Sequence, residues 1–393
     1  MDLNILVPLI LVSFSNFELE AFVSSGILLL LNGQDEEENE RKKLELLMSM
    51  VVFKQSWAAE FGLAFGVTIL LLDEISFSDI TRYLFPDNLF PRSQPRRVYQ
   101  RLVQYPHLFW ALTSETPATF LQVHADVVFE IMLPRNVRLK YLNNDARIPR
   151  ACLLCTLDRL LLVLIWLRKY PSYDELATMF GINRTSISDD IHHIVPILYC
   201  HFQNEIQWPT QQEFHELRDA GHWPHFPNAV LAVDGTIHRV WKPLINQREY
   251  YRGDKRCHFI ESQVIVDPTG IIRNLETGYK GSMNDMGNWN VSDAGNGLLP
   301  MPEWARILAD GGYANVIPLI IPYRADEANG NEEMLRRNEI QRGYRSIVEK
   351  SIGVMKHYKS VSKIFVHPKP FQGIIAYLVG CLANRKMKLL RNL

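Results

Sequence analysis

The chain is poor in several things, and each shortage excludes something. It has only five cysteines, Cys152, Cys155, Cys200, Cys257 and Cys381, an odd number at scattered spacing. That excludes a disulfide framework and suits a reducing compartment. Cys152 and Cys155 have the spacing of half a zinc site, but no second pair follows, which favours two cysteines on a packed helix. Net charge is nearly absent: 42 Lys and Arg stand against 43 Asp and Glu, for a formal charge of −1. A polyanion-wrapping protein usually carries a basic excess, so any contact with nucleic acid must come from local patches. No apolar run reaches the ~20 residues that a membrane span needs. Residues 3–14 and 25–32 are apolar but short, and Asp2 stands where a signal peptide would be basic. Buried helices and no stable membrane association are expected.

What is present is an ordinary globular composition, 47% hydrophobic and 22% charged over 393 residues, enough for two or three domains. Residues 1–95 carry no visible chemistry: a charge run at 34–43, an apolar segment at 61–72 and a Pro-rich, basic connection at 88–97. The pattern over 96–200 is helical, with an almost continuous apolar run at 153–167 that reads as a buried helix. Within it, residues 172–195 read as a helix-turn-helix. Ser172 and Glu175 form a capping box, Leu176, Ala177 and Phe180 make one apolar face, Gly181 allows the turn, and Asn183 caps a second helix with Ile187, Ile191 and Ile194 inward. Arg184, Thr185, Ser186 and Ser188 would then face a DNA groove, with Asp189 and Asp190 opposing the contact. Residues 201–227 read as a linker.

From 228 the period changes to that of strands. Residues 229–233, 258–266, 271–276, 306–309 and 316–321 are strand-like, with Asp267 as a turn residue between the second and third. Residues 325–361 are helical, with Ile347, Val348, Ile352 and Met355 as the apolar face, and a last helix covers 371–390. Strands followed by helices make an α/β domain over 228–393. Three carboxylates stand out in it. Asp234 and Asp310 each end an apolar strand run and are followed by glycine; Glu349 lies on the long helix. Carboxylates that converge without a built-in counter-charge invite divalent metal, and two such ions serve phosphodiester cleavage by activating a nucleophile and stabilising the leaving oxygen. Each aspartate could equally be a turn-former, and Glu349 could be half of a surface pair with Arg345 one helical turn away.

Five segments in order carry a resemblance: Ala232-Val-Asp-Gly-Thr236, Tyr251-Arg-Gly-Asp-Lys-Arg-Cys-His258, Tyr279-Lys-Gly-Ser-Met-Asn-Asp285, Leu308-Ala-Asp-Gly-Gly-Tyr313 and Arg345-Ser-Ile-Val-Glu-Lys-Ser-Ile-Gly-Val-Met-Lys356. Preceded by the helix-turn-helix, they resemble the PIF/Harbinger transposases and their domesticated relatives, over about 150–390. The resemblance implies an RNase H-like catalytic fold and a DDE triad of Asp234, Asp310 and Glu349. It also implies Mg²⁺ or Mn²⁺ as cofactor, DNA as substrate, residence in the nucleus with the cytoplasm as an alternative, and partners that include further copies of the chain and a separate DNA-binding protein. Asp285 matches an acidic residue of the family, whereas Asn284 replaces the usual His. Phosphate contacts are expected from Arg252, Lys255, Arg256, Lys280, Arg345, Lys350 and Lys356. Two functions follow: a transposase or transposase-derived nuclease, or a catalytically silent DNA-binding or scaffolding descendant.

Overall fold

The computed structural model describes residues 97–133 and 154–391. The readings of residues 1–95 and of Cys152 lie outside the described residues. Among those described, no helix is long and apolar enough to cross a membrane.

The helical part comprises α1 (Val98–Leu102), α2 (Pro106–Thr113), α3 (Pro117–Met132), α4 (Thr156–Lys169), α5 (Tyr173–Phe180) and α6 (Arg184–Phe202). Every residue from Leu160 to Leu167 is buried, because α1, α2, α3, α5 and α6 all pack on α4. That is why its sequence is apolar on every side rather than on one stripe. The charges at its ends are also buried and paired. Arg159 meets Asp190 of α6 at 2.7 Å and donates to the Ile131 carbonyl, and Arg168 donates to the carbonyl of His357. Asp190 therefore does not oppose DNA as its sequence position suggested: it points into the core.

The helix-turn-helix forms as its sequence dictates. Ser172 and Glu175 cap α5 reciprocally, Gly181 takes the left-handed conformation (φ 66°) that a side chain would strain, and the Asn183 side chain accepts from Ser186 N at 2.7 Å. The later turns of α6 lie against the C-terminal segment, where His192 stacks on Phe371 with ring centroids 4.8 Å apart. Arg184 and Thr185 stay exposed on the first turn.

Residues 201–227 hold more than a linker. Helix α7 (Gln211–Asp219) starts at a Thr210–Glu213 capping box and buries Phe214 in the core beside Val230, Ile265 and Trp289. The sheet that follows is mixed: β1 (Ala229–Arg239), β2 (Tyr251–Arg252), β3 (Cys257–Val266), β4 (Ile272–Lys280), β5 (Arg306–Leu308) and β6 (Leu319–Ile320). Its path runs β2-β3-β1-β5-β6, with β4 also on β3. Strands β1, β3 and β4 are antiparallel, while β5 and β6 run parallel to β1. Asp267 is the turn residue expected of it: its carboxylate accepts from Thr269 N at 2.8 Å and pairs with Arg273 at 2.8 Å. Helix α8 (Asp285–Val291) follows β4, α9 (Glu332–Lys356) packs on β1 and β3, and α10 (Lys369–Arg391) packs on β4 and on α6. A mixed sheet with flanking helices, preceded by a helical region, is the RNase H-like arrangement.

Asn384 fastens α10 to both of its neighbours. Fully buried, it accepts from Ile272 N at 2.8 Å and donates to the carbonyls of Ile272 at 2.8 Å and Glu205 at 2.9 Å. A leucine there would strand buried backbone groups at a desolvation cost of about 1–3 kcal/mol each. Asn384→Leu is expected to lower the unfolding free energy by about 2–4 kcal/mol in urea titration; an unchanged midpoint would show that these bonds contribute nothing net.

Candidate active site

Asp234 was expected at a strand end, but β1 continues through it to Arg239, pairing Asp234 with Val264 and Arg239 with Phe259. The partner that ends is β5. Its parallel pairing with β1 stops at Ala232 opposite Leu308. Two residues further along each chain lie Asp234 and Asp310, just where β5 leaves β1, and near enough for the charge of Asp310 to act on Asp234. Each is steadied by a nearby backbone amide: Gly235 N donates to Asp234 at 2.9 Å and Gly312 N to Asp310 at 2.8 Å.

Helix α9 brings the third residue over this point. Arg345 donates to Asp234 at 2.9 Å and, through its other terminal nitrogen, to Glu349 at 2.9 Å. The pair one helical turn apart is present, and the same guanidinium joins it to β1. The expectation of carboxylates without a counter-charge is corrected here: Arg345 is that counter-charge. Its side chain is only 13% exposed, so it sits between acids rather than facing solvent for phosphate. Glu349 remains 54% exposed.

Two more carboxylates complete the cluster. Asp285 opens α8, where Asn284 serves as N-cap by accepting from Gly287 N at 2.7 Å. A Cβ placed on Gly312 would lie 2.6 Å from an Asp285 oxygen and 3.1 Å from one of Asp310. A Cβ on Gly235 would lie 3.0 Å from the other Asp285 oxygen and 3.1 Å from Glu261. The glycines after the two aspartates therefore leave the space into which Asp285 and Glu261 reach. Glu261 was not foreseen. It is 2% exposed on β3, accepts from Asn288 Nδ2 at 3.0 Å and has Arg252 at 3.8 Å. The available signal was the polar Glu261-Ser-Gln263 within an otherwise apolar buried strand.

Burial of this much negative charge is costly and shows in the acidities. Burial, with Asp310 and Glu349 adding repulsion against the pull of Arg345, pushes Asp234 up to about 6. Burial, aided by Asp285 and Asp234, pushes Glu261 up to about 7. Asp285 is raised too, by burial and then by Asp310. A carboxyl group whose acidity falls on folding stabilises the protein below its unfolded value, near 4.5 for Glu261, and that contribution is lost as pH rises through the folded value, about 7. The stability of wild type minus that of Glu261→Gln should therefore fall by about 2–3 kcal/mol between those limits in cation-free buffer. Urea unfolding at both ends measures it, and a flat difference would mean that Glu261 ionises normally. Using the difference removes the opposing contribution of buried His238, whose pKa burial lowers to about 4.

The donor set suits a hard divalent cation: all are carboxylate oxygens, three have their pKa raised by burial, and, among the described residues, only two guanidinium groups, Arg345 and Arg252, face the five acids. Asp234, Asp310 and Glu349, with Asp285, are the residues that would hold it. Among the described residues no three His, Cys, Asp or Glu side chains already stand at ligating spacing. A groove lined by Asp310, Tyr323, Asn338, Gln341, Arg342 and Arg345 opens beside the cluster.

The other expected phosphate contacts are scattered. Lys280 pairs with Glu249 at 3.2 Å, and Arg252 and Lys255 approach Asp254 at 3.0 and 3.9 Å. Arg256 is exposed in a left-handed turn (φ 51°), and Lys350 is exposed on α9. Lys356 is half-buried, and burial lowers its pKa. On α6, Arg184 makes only a long, exposed contact of 3.5 Å with Asp174, Thr185 is exposed, and Ser186 and Ser188 are half-buried.

Residues 233–384 match the family of DDE superfamily endonucleases, and residues 152–204 match the helix-turn-helix of DDE superfamily endonuclease. No curated protein and no solved structure matches the chain. Over these residues the chain is thus similar to a DDE superfamily endonuclease domain preceded by its helix-turn-helix, which supports a transposase-type DNA-cleaving function.

Proposed function

We propose that the protein is a metal-dependent DNA endonuclease of the PIF/Harbinger transposase type, acting through Asp234, Asp310 and Glu349. The observation that supports this reading is the β1–β5 register, which ends two residues before Asp234 and Asp310, together with Arg345, which bonds both Asp234 and Glu349. Mg²⁺ or Mn²⁺, when bound, supplies Lewis-acid activation of water or a DNA 3′-hydroxyl and stabilises the leaving oxygen. The protein's part is positioning and charge. The backbone amides of Gly235 and Gly312 hold one oxygen of each aspartate, and the second oxygen of Asp234 is held by Arg345. Glu261 and Asp285 add to the negative field, and Glu261 is fixed by Asn288. Arg345 offsets the charge of Asp234 and Glu349 in the absence of cation. A DNA substrate and a DDE ancestry suit residence in the nucleus.

The test is strand cleavage of labelled duplex DNA by the full chain. Cutting is expected with Mg²⁺ or Mn²⁺ and not with EDTA; cutting that persists in EDTA overturns the metal-dependent reading. One observation favours a second function. The Arg345 clasp occupies the space between Asp234 and Glu349, as it would in a silent DNA-binding descendant. DNA binding without cleavage under either metal would assign the protein to that class.

A further inference from the structure

Beyond the carboxylates, β1 runs into a surface that the cleavage site does not use. It bridges the segment after α9: Phe365 N donates to the Arg239 carbonyl at 2.8 Å, and Trp241 N to the Phe365 carbonyl at 2.9 Å. Val240 N donates to the His258 carbonyl at 3.0 Å, which joins the β2–β3 hairpin to the same end of the sheet. Lys369 lies 3.6 Å above the ring of Tyr250. On this held frame Trp241 is 68% exposed, Leu244 97% and Ile245 75%, with Ile364 and Val366 also exposed. Large apolar side chains grouped at a surface mark an interaction site rather than chance.

The charge around them says what the partner is. Residues 239–258 and 363–370 contain eight Lys and Arg but only two acids, Glu249 and Asp254, in a chain whose formal net charge is −1. Both acids are already matched, Glu249 by Lys280 at 3.2 Å and Asp254 by Arg252 at 3.0 Å. Arg239, Lys242 and Arg248 are exposed beside the apolar group. A second copy of this surface would bring like charges together, whereas a polyanion gains from every cation. We propose that this patch binds the substrate DNA outside the cleavage site, the cations on phosphates and Trp241, Leu244 and Ile245 as a wedge against unstacked or unpaired bases. Trp241 lies seven residues beyond Asp234, five of them within β1, or about 20 Å at strand rise, so one duplex reaches both places. The assignment of DNA rests on the nuclease reading; the wedge is an addition to it.

The test uses the full chain without divalent cation, so that no strand is cut, and two labelled duplexes, one fully paired and one with a short unpaired bubble carrying 2-aminopurine. Wild type is expected to bind the bubble more tightly and to change the probe's fluorescence. Trp241→Ala should cost about tenfold in affinity for the bubble and abolish the fluorescence change. Lys242→Ala and Arg248→Ala should each reduce the dependence of log affinity on log salt by about one, on both duplexes. All three side chains are exposed, so the variants should keep wild-type melting. If wild type cuts DNA but Trp241→Ala matches it on both duplexes, the wedge is wrong and the nuclease reading stands. Failure of wild type to bind either duplex overturns both. If Trp241→Ala instead abolishes binding to phosphatidylserine vesicles while DNA binding is unchanged, the patch is a membrane surface and the proposal falls.

Discussion

Asp310→Asn and Asp234→Asn should each slow DNA cleavage by a factor on the order of 10³ or more while leaving the protein at least as stable as wild type. Activity falls because an amide is a poor ligand for a hard cation and carries no charge. Stability holds because the cluster is over-charged. Asp234 is half-buried, feels the charges of Asp310 and Glu349, and has its acidity weakened in consequence, so removing one charge relieves repulsion. Asp234→Asn keeps an acceptor for the amide of Gly235 but weakens the Arg345 pair, so Asp310→Asn is the cleaner of the two. Single-turnover cleavage and thermal melting, measured on the same preparations, check both halves. Loss of activity together with a large loss of stability would mean that the aspartates serve the fold. Glu349→Gln should also lose activity, but it is the most exposed of the three and gains least in stability.

The second large effect lies in the helix-turn-helix. Asp190→Ala should lower the unfolding free energy by about 3–5 kcal/mol, because it leaves the guanidinium of Arg159 buried without its acid. Both side chains are almost completely buried, so this is not a surface pair of marginal value. Replacing both together, Arg159→Met with Asp190→Leu, should recover most of the loss, since apolar residues of similar volume need no desolvated charge. Urea titration of the two variants decides it. Equal loss in single and double variants would mean that the site depends on shape rather than on charge. This placement also alters the DNA question: Asp190 does not repel phosphate, whereas Asp189 stays exposed on α6 with Arg184 and Thr185.

Local signals survived folding well. The Ser172–Glu175 box, the Gly181 turn and the Asn183 cap are each set within a few residues, and each appears as the sequence indicates. The continuous apolar run of α4 likewise foretold burial on every side. Where sequence failed, the cause was a partner distant in the chain. Gly235-Thr236 after an apolar run looks like a strand end, yet β1 continues because β3 pairs with it from Ala232 through Arg239, where Thr236 and His238 are buried. Phe214 looked like part of a linker because one buried residue in a short helix gives no periodicity. The sequence showed that Arg345 and Glu349 share a helix face; that Asp234 takes the other arm of the guanidinium depends on how α9 crosses β1. Glu261 escaped notice because a single acid in a strand carries no pattern, and only the pairing of β3 with β1 brings it beside Gly235. The pairing of Asp234 with Asp310 rests on the β1–β5 register, which is non-local by nature.

The most direct measurement of the central claim is calorimetric titration of Mn²⁺ into the cation-free protein near pH 6.5, repeated in buffers of different ionisation enthalpy. Asp234 and Glu261 have their acidities weakened to about 6 and about 7, so both are partly protonated there. Cation binding should displace roughly one proton, and binding and proton release should both vanish in the Asp234→Asn, Asp310→Asn double variant. Mn²⁺ binding of equal strength in wild type and double variant, or no binding by wild type, would contradict a catalytic site built on these carboxylates.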